Sequence, residues 1–153
     1  MRTATRMHEH CFTYGSLMCE DIMSAVCGTP CTRHAPATLA EHRRHSVIGQ
    51  HYPGMVPTPG SAVQGVLYLD LRSSAWARLD AFEGEEYTRE RVTATLADGR
   101  SLAAWTYVFK PRYAGRLAAG DWDFEHFLRH GKARFEAAYL GFSTLGRNPD
   151  DIE

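Results

Sequence analysis

The stretch that most constrains this chain is Phe12-Thr13-Tyr14-Gly15-Ser16-Leu17-Met18, a short apolar run that halts at a glycine and passes into residues able to begin a helix. A strand that turns directly into a helix leaves the amides of Gly15, Ser16 and Leu17 without intrahelical partners. Those N–H groups carry partial positive charge, so a carboxylate or phosphate set against them gains several hydrogen bonds at once. Glycine, lacking a Cβ, lets the backbone approach such a ligand closely. The same residues also describe an ordinary strand-to-helix turn, and the local pattern leaves both readings open.

Around this turn the chain mixes strand and helix signals. The opening strand spans 11–14, and a helix over 17–27 carries Leu17, Ile22, Ala25 and Val26 on one face, with Gly28 and Pro30 as its stop. Residues 35–48 read as a strand whose His42-Arg43-Arg44-His45 patch is the solvated face of a sheet edge rather than a site for an acidic ligand. Tyr52-Pro53-Gly54 and Pro57-Thr58-Pro59-Gly60 are turn signals around a brief strand, Met55-Val56. Residues 62–69 are nearly all apolar and predict a central strand, in which Gly65 marks a bulge or a close neighbour.

Ser73 or Ser74 caps a second helix that buries Trp76, Leu79, Ala81 and Phe82 and ends at Gly84. Residues 87–96 and 101–109 form a hairpin about Ala97-Asp98-Gly99. Residues 110–120 have no clear period and read as a long loop. A final helix, capped by Asp121 or Asp123, carries a core stripe of Phe124, Phe127, Leu128, Phe135, Ala138, Tyr139 and Phe142. The 153 residues suit one domain over 11–145, with a lead-in at 1–10 and a tail at 146–153.

Composition removes several classes of partner. Eighteen acidic residues face 17 basic ones, so the chain lacks the basic surplus that nucleic acid or an anionic membrane demands. No apolar run has the length of a membrane span, and residues 1–10 lack the apolar core of a signal peptide, which points to a cytoplasmic protein. Cys11, Cys19, Cys27 and Cys31 cluster early. Zinc held by Cys27, Cys31, His34 and Cys19 would supply only one of the two matching halves usual in structural sites, so buried reduced thiols are the expectation. His126 and His130 lie four apart, but Phe127 stands where a zinc-protease motif has glutamate.

A second informative stretch is Leu79-Asp80-Ala81-Phe82-Glu83-Gly84-Glu85-Glu86-Tyr87, where four acids crowd a helix end that already carries negative charge. Glu83 follows the core-facing Phe82 and precedes the turn glycine, which places it at the edge of the core or on the surface beside Arg89 or Arg91. A carboxylate held among apolar groups titrates higher than usual, as suits a group that takes and returns a proton near neutral pH.

Together, Phe12-Thr13-Tyr14-Gly15-Ser16-Leu17 and Leu79-Asp80-Ala81-Phe82-Glu83-Gly84-Glu85-Glu86-Tyr87-Thr88-Arg89 resemble the gamma-glutamylcyclotransferase-like family, in its avirulence-induced gene 2 (AIG2-like) branch. The first is similar to the family's Tyr-Gly-Ser/Thr-Leu loop, the second to its Leu-Asp-x-Phe-Glu-Gly-x-x-Tyr-x-Arg stretch. Gly65-Val66-Leu67-Tyr68-Leu69 and Asp121-Trp122-Asp123-Phe124-Glu125 extend the resemblance over roughly 12–142.

The resemblance implies an α+β fold: a small, bent, mostly antiparallel barrel-like mixed sheet with short helices and a C-terminal helix. It further implies that the Tyr14-Gly15-Ser16-Leu17 amides hold the α-carboxylate of a gamma-glutamyl group and that Glu83 carries the proton. Tyr87 and Tyr107 are pocket walls or hydroxyl donors, unless they simply pack in the core. The reaction would cyclise a gamma-glutamyl or epsilon-gamma-glutamyl amine to 5-oxoproline and release the amine. It requires no metal or organic cofactor, because the nucleophile is the substrate's own amine. The alternative is a non-catalytic small-carboxylate-binding module of the same fold. The implied partner is thus a small molecule, while the leaving amine and the oligomeric state are not encoded in any motif.

Overall fold

In the computed structural model, which describes residues 9–138, five strands close into a barrel in the order β1-β3-β2-β4-β5. They are β1 (Glu9–Thr13), β2 (His34–Ser46), β3 (Pro53–Leu71), β4 (Tyr87–Leu96) and β5 (Ser101–Phe109). Neighbours are antiparallel except β1 and β5, which meet in parallel at Cys11 and Trp105. Short helices and a C-terminal helical segment complete the expected α+β architecture. No helix among the described residues is long and apolar enough to cross a membrane.

Strand alternation sends successive side chains to opposite faces, and here both faces are apolar. Phe12 enters the barrel interior with Leu39, Val63, Leu67 and Val108, whereas Cys11 joins an outer cluster with Ile22, Met23, Tyr68 and Leu79. This double burial explains the nearly unbroken apolar run over 62–69, since Leu67 belongs to one cluster and Tyr68 to the other. The strand is central, lying between β1 and β2. Gly65 marks a close neighbour: a Cβ there would overlap the Thr13 carbonyl oxygen and stand 2.7 Å from Phe12 Cζ.

The two strands anticipated over 53–69 are one. Between the pairs Ala40↔Ala62 and His42↔Pro57, residues 58–61 face Glu41 alone, so the Pro-Thr-Pro-Gly signal makes a bulge rather than a reversal. Pro59, which has no N–H to donate, falls in that gap. Glu41 (φ 63) and Gly60 (φ 85) take left-handed conformations there, and the Glu41 carboxylate accepts the Gly60 N–H at 3.1 Å.

The first helix also departs from expectation. Ser16–Met18 form a 3₁₀ turn, Cys19 is extended, and α1 runs over Glu20–Cys27. Two tight bonds, Met18 N–H to Gly15 C=O and Cys19 N–H to Ser16 C=O, close the turn before an α-helix can propagate through it. Gly28 (φ 78) ends α1 as predicted, while Met23 and Cys27 rather than Ala25 fill its buried side. All four cysteines are free and buried, and His34 Nε2 lies 2.7 Å from Glu20 Oε1. Among the described residues no three His, Cys, Asp or Glu side chains converge as a metal-ligand group.

Because β3 runs to Leu71, Arg72 is the only linker to α2 (Ser73–Glu83), and neither serine caps it. Trp76 and Leu79 are buried, Phe82 is half-buried and Ala81 is exposed. β4 and β5 pair as the expected hairpin, with Gly99 at φ 91. An L side chain there is strained, so Gly99→Ala should cost about 1 kcal/mol in a urea unfolding experiment with the barrel intact.

The far half of β2 is not an open edge. Residues 110–120 wrap it, forming a 3₁₀ helix over Pro111–Arg116 and then bonding Ala118 N–H to Ser46 C=O and Ser46 N–H to Gly120 C=O. Arg43 donates to Ala119 C=O, and Arg44 turns inward, its side chain only 14% exposed. The solvated-face reading of this patch therefore fails at Arg44.

Asp123, not Asp121, caps the last helical segment by accepting the His126 N–H. That segment starts as α3 (Phe124–His126), widens to a π-helix (Phe127–Gly131) and resumes as α4 (Lys132–Glu136). The wide turn rotates the expected stripe, so Phe127 and Phe135 are buried while Leu128 and Ala138 are exposed. Glu9 and His10, expected in the lead-in, belong to β1. Tyr139, Phe142 and the tail at 146–153 lie outside the described residues.

Candidate functional site

A cavity of ≈ 460 Å³ opens where the barrel's interior cluster meets the helical one. Tyr14, Gly15, Ser16 and Leu17 line it together with Glu83, Tyr87 and Tyr107. The structure thus gathers around one space the seven residues expected in the site.

The first wall is the 3₁₀ turn that follows β1. The opening amides of such a turn, here those of Ser16 and Leu17, have no partner within it. Gly15 is required by close packing: a Cβ would stand 2.7 Å from Pro53 Cδ. Tyr14 is anchored at both ends, its hydroxyl donating to the Tyr107 carbonyl at 2.5 Å and its own carbonyl accepting Arg44 Nη1–H at 2.8 Å.

The second wall begins at the end of α2. Glu83 is its last residue, and Gly84 (φ 78) turns the chain into β4. The arginines that might have held Glu83 are engaged elsewhere, Arg89 with both oxygens of Asp80 and Arg91 with Glu9. Glu83 makes no side-chain hydrogen bond or ion pair among the described residues. Burial first, and the neighbouring Asp80 charge second, push its carboxyl up to about 8.

The tyrosine hydroxyls are committed as donors. Tyr87 donates to Pro53 C=O at 2.6 Å, and Tyr107 donates to Asp80 Oδ1 at 2.6 Å. Burial drives the titration of Tyr14, Tyr87 and Tyr107 well above the ordinary phenol range. Both Tyr87 and Tyr107 are therefore neutral walls whose oxygens remain acceptors, not the free hydroxyl donors anticipated as one option.

The polar rim draws on segments that the sequence names as walls for the leaving group, the 52–59 turns and the 110–120 loop, without placing them. Glu86 accepts Tyr52 OH at 2.9 Å and Arg116 Nη1–H at 2.7 Å, and all three residues line the cavity. Residues 50–53 and 110–116 read as turn and loop, whose placement depends on tertiary contacts. Arg44 was assigned to solvent because charge runs ordinarily face water. Only its pairing with Asp121, 77 positions away, reveals otherwise.

The arrangement offers hydrogen-bond donors for an anion on one wall and, on the other, a carboxyl that can exchange a proton near neutral pH. Solved structures share its frame. A gamma-glutamyl cyclotransferase superposes with a TM-score of 0.58 at 18% identity, covering 69% of this chain and 73% of that one. An Arabidopsis thaliana protein solved in solution gives 0.65 at 28% identity, covering 87% and 89%. The fold is thus that of a gamma-glutamyl cyclotransferase.

Residues 11–124 match the family described as "Gamma-glutamyl cyclotransferase, AIG2-like", and the chain belongs to this family. It is 34% identical over 118 residues to AIG2-like protein D of Arabidopsis thaliana, covering 76% of each chain. With AIG2-like protein C of the same plant it shares 31% over 140 residues, covering 91% of this chain and 80% of that one.

Proposed function

We propose that the protein cyclises a gamma-glutamyl amine to 5-oxoproline and releases the amine. The observation that carries this reading is the unpaired Glu83 carboxyl, titrating near 8, in the same cavity as the Tyr14–Leu17 turn. Family membership supports a cyclotransferase-like enzyme.

The turn amides bind the substrate's α-carboxylate and fold the flexible chain, so that its α-amine meets its own γ-carbonyl. This is a proximity task, in which fixed geometry replaces a costly search. The ionised Glu83 carboxylate takes a proton from the α-ammonium. The freed nitrogen attacks the γ-carbon, a new C–N bond closes the five-membered lactam, and the old C–N bond to the leaving amine breaks. Glu83 returns that proton to the departing nitrogen, and the ring nitrogen passes its remaining extra proton to the released amine, leaving a neutral lactam and an ammonium, so that one group serves as base and then acid. Backbone N–H groups of the turn stabilise the oxyanion formed in between.

The test is 5-oxoproline release, measured across a panel of gamma-glutamyl amines as a function of pH. Below about 8 the carboxyl is protonated and accepts nothing, so kcat/KM should fall tenfold per pH unit on that side and level off above it. Tight carboxylate binding without 5-oxoproline from any member of the panel would point instead to a binding module.

A further inference from the structure

Arg44 does not line the cavity, yet it is fastened to the wall that the substrate is proposed to touch. Its Nη1–H bonds the Tyr14 carbonyl at 2.8 Å. Its Nε–H and Nη2–H grip the two oxygens of Asp121 at 2.8 and 3.3 Å, and the guanidinium lies 5.5 Å from the centre of the Trp122 ring. Asp121 is itself fixed by accepting the Trp122 N–H, and Trp122 donates its indole N–H to His51 C=O at 3.0 Å. The Arg44 charge holds the Asp121 carboxyl below its ordinary range despite partial burial, as a close ion pair should.

The Tyr14 carbonyl belongs to the same peptide unit as the Gly15 N–H. That unit is planar and trans, so its carbonyl and its N–H point in opposite directions. A cation bound to the oxygen fixes the plane and aims the Gly15 N–H away from Arg44. It also draws electron density toward the oxygen, which strengthens the N–H as a donor, as in any polarised hydrogen-bond chain.

We propose that Arg44, held by Asp121, is a positioning residue for carboxylate recognition: it orients and polarises the Tyr14–Gly15 peptide that opens the ligand-binding turn. The inference rests on the proposed use of that turn and concerns binding rather than the chemical step.

The test measures 5-oxoproline binding by calorimetry together with steady-state kinetics. Arg44→Met should weaken 5-oxoproline binding and raise KM by at least about tenfold, while kcat stays within about threefold, the pattern of a lost ground-state contact. Arg44→Lys, which keeps a charge and one donor but cannot fork onto Asp121, should show the same split at smaller size. Should the Met variant fail to fold, the Lys variant decides alone. Binding equal to the parent's in a folded variant, a loss confined to kcat, or no measurable binding by the parent overturns the inference. Glu83→Gln separates the two ideas: it should bind 5-oxoproline like the parent. A parent that binds 5-oxoproline through Arg44 but turns nothing over would sink the cyclisation reading alone.

Discussion

Glu83→Gln should lower turnover by roughly a hundredfold or more, the scale on which general acid–base groups act, while substrate affinity changes little. Glutamine keeps the shape and volume of the side chain but cannot accept the ammonium proton or return it. The pH inflection near 8 should vanish with it, because the carboxyl responsible is gone. Near-parental kcat in a folded variant would end the assignment.

The same substitution should stabilise the protein at high pH, and the sign follows from linkage. The ordinary glutamate value is 4.5, and the folded value is about 8. Below the lower value both states are protonated and Glu83 has no effect. Between the two the unfolded chain ionises first, so stability falls as pH rises and levels off once the folded carboxyl has ionised. Thermal unfolding of the Gln variant should therefore match the parent near pH 4 and lie several degrees above it at pH 9.

The second large effect is structural. Gly65→Ala should cost about 3 kcal/mol in denaturant unfolding, at the upper end of overpacking penalties, because the new methyl meets backbone rather than a side chain able to rotate. It would overlap the Thr13 carbonyl oxygen, and Phe12 Cζ blocks the other side at 2.7 Å. β1 must then lift from β3, and it is β1 that delivers Tyr14 and Gly15 to the cavity. Gly115→Ala and Gly120→Ala are the controls: an added Cβ finds nothing within 4 Å at either position, so stability should move by no more than about 0.5 kcal/mol. A Gly65→Ala protein as stable as these controls would contradict the packing described.

What could be read from the sequence followed the range of the signal. Gly99 and the 87–109 hairpin, Gly28 as a helix stop, and the apolar run of the central strand are local chemistry, and the structure repeats them. The Pro-Thr-Pro-Gly stretch is equally local, but its meaning is not. Whether four such residues reverse a chain or bulge from it depends on a partner strand, and here Glu41 waits opposite them. Glu83 could be suspected from its neighbours, although its freedom depends on Arg89 and Arg91 finding Asp80 and Glu9, which no window of sequence contains. Joining it to the turn at Gly15 required a resemblance, because two stretches almost 70 residues apart carry no periodicity that links them.

The place of β1 in the barrel has a consequence for how the molecule is made. β2 with β3, and β4 with β5, are hairpins whose strands follow one another, so each closes a short loop. β1 is different: Thr13 pairs with Val66, and the Phe12 carbonyl receives the Thr106 hydroxyl 94 positions along the chain. Such remote contacts repay their loop-closure entropy only after the intervening chain is ordered, so β1 is expected to dock late in folding. On that order the turn at Tyr14–Leu17, and with it one wall of the cavity, should be completed only when β1 slots between β3 and β5.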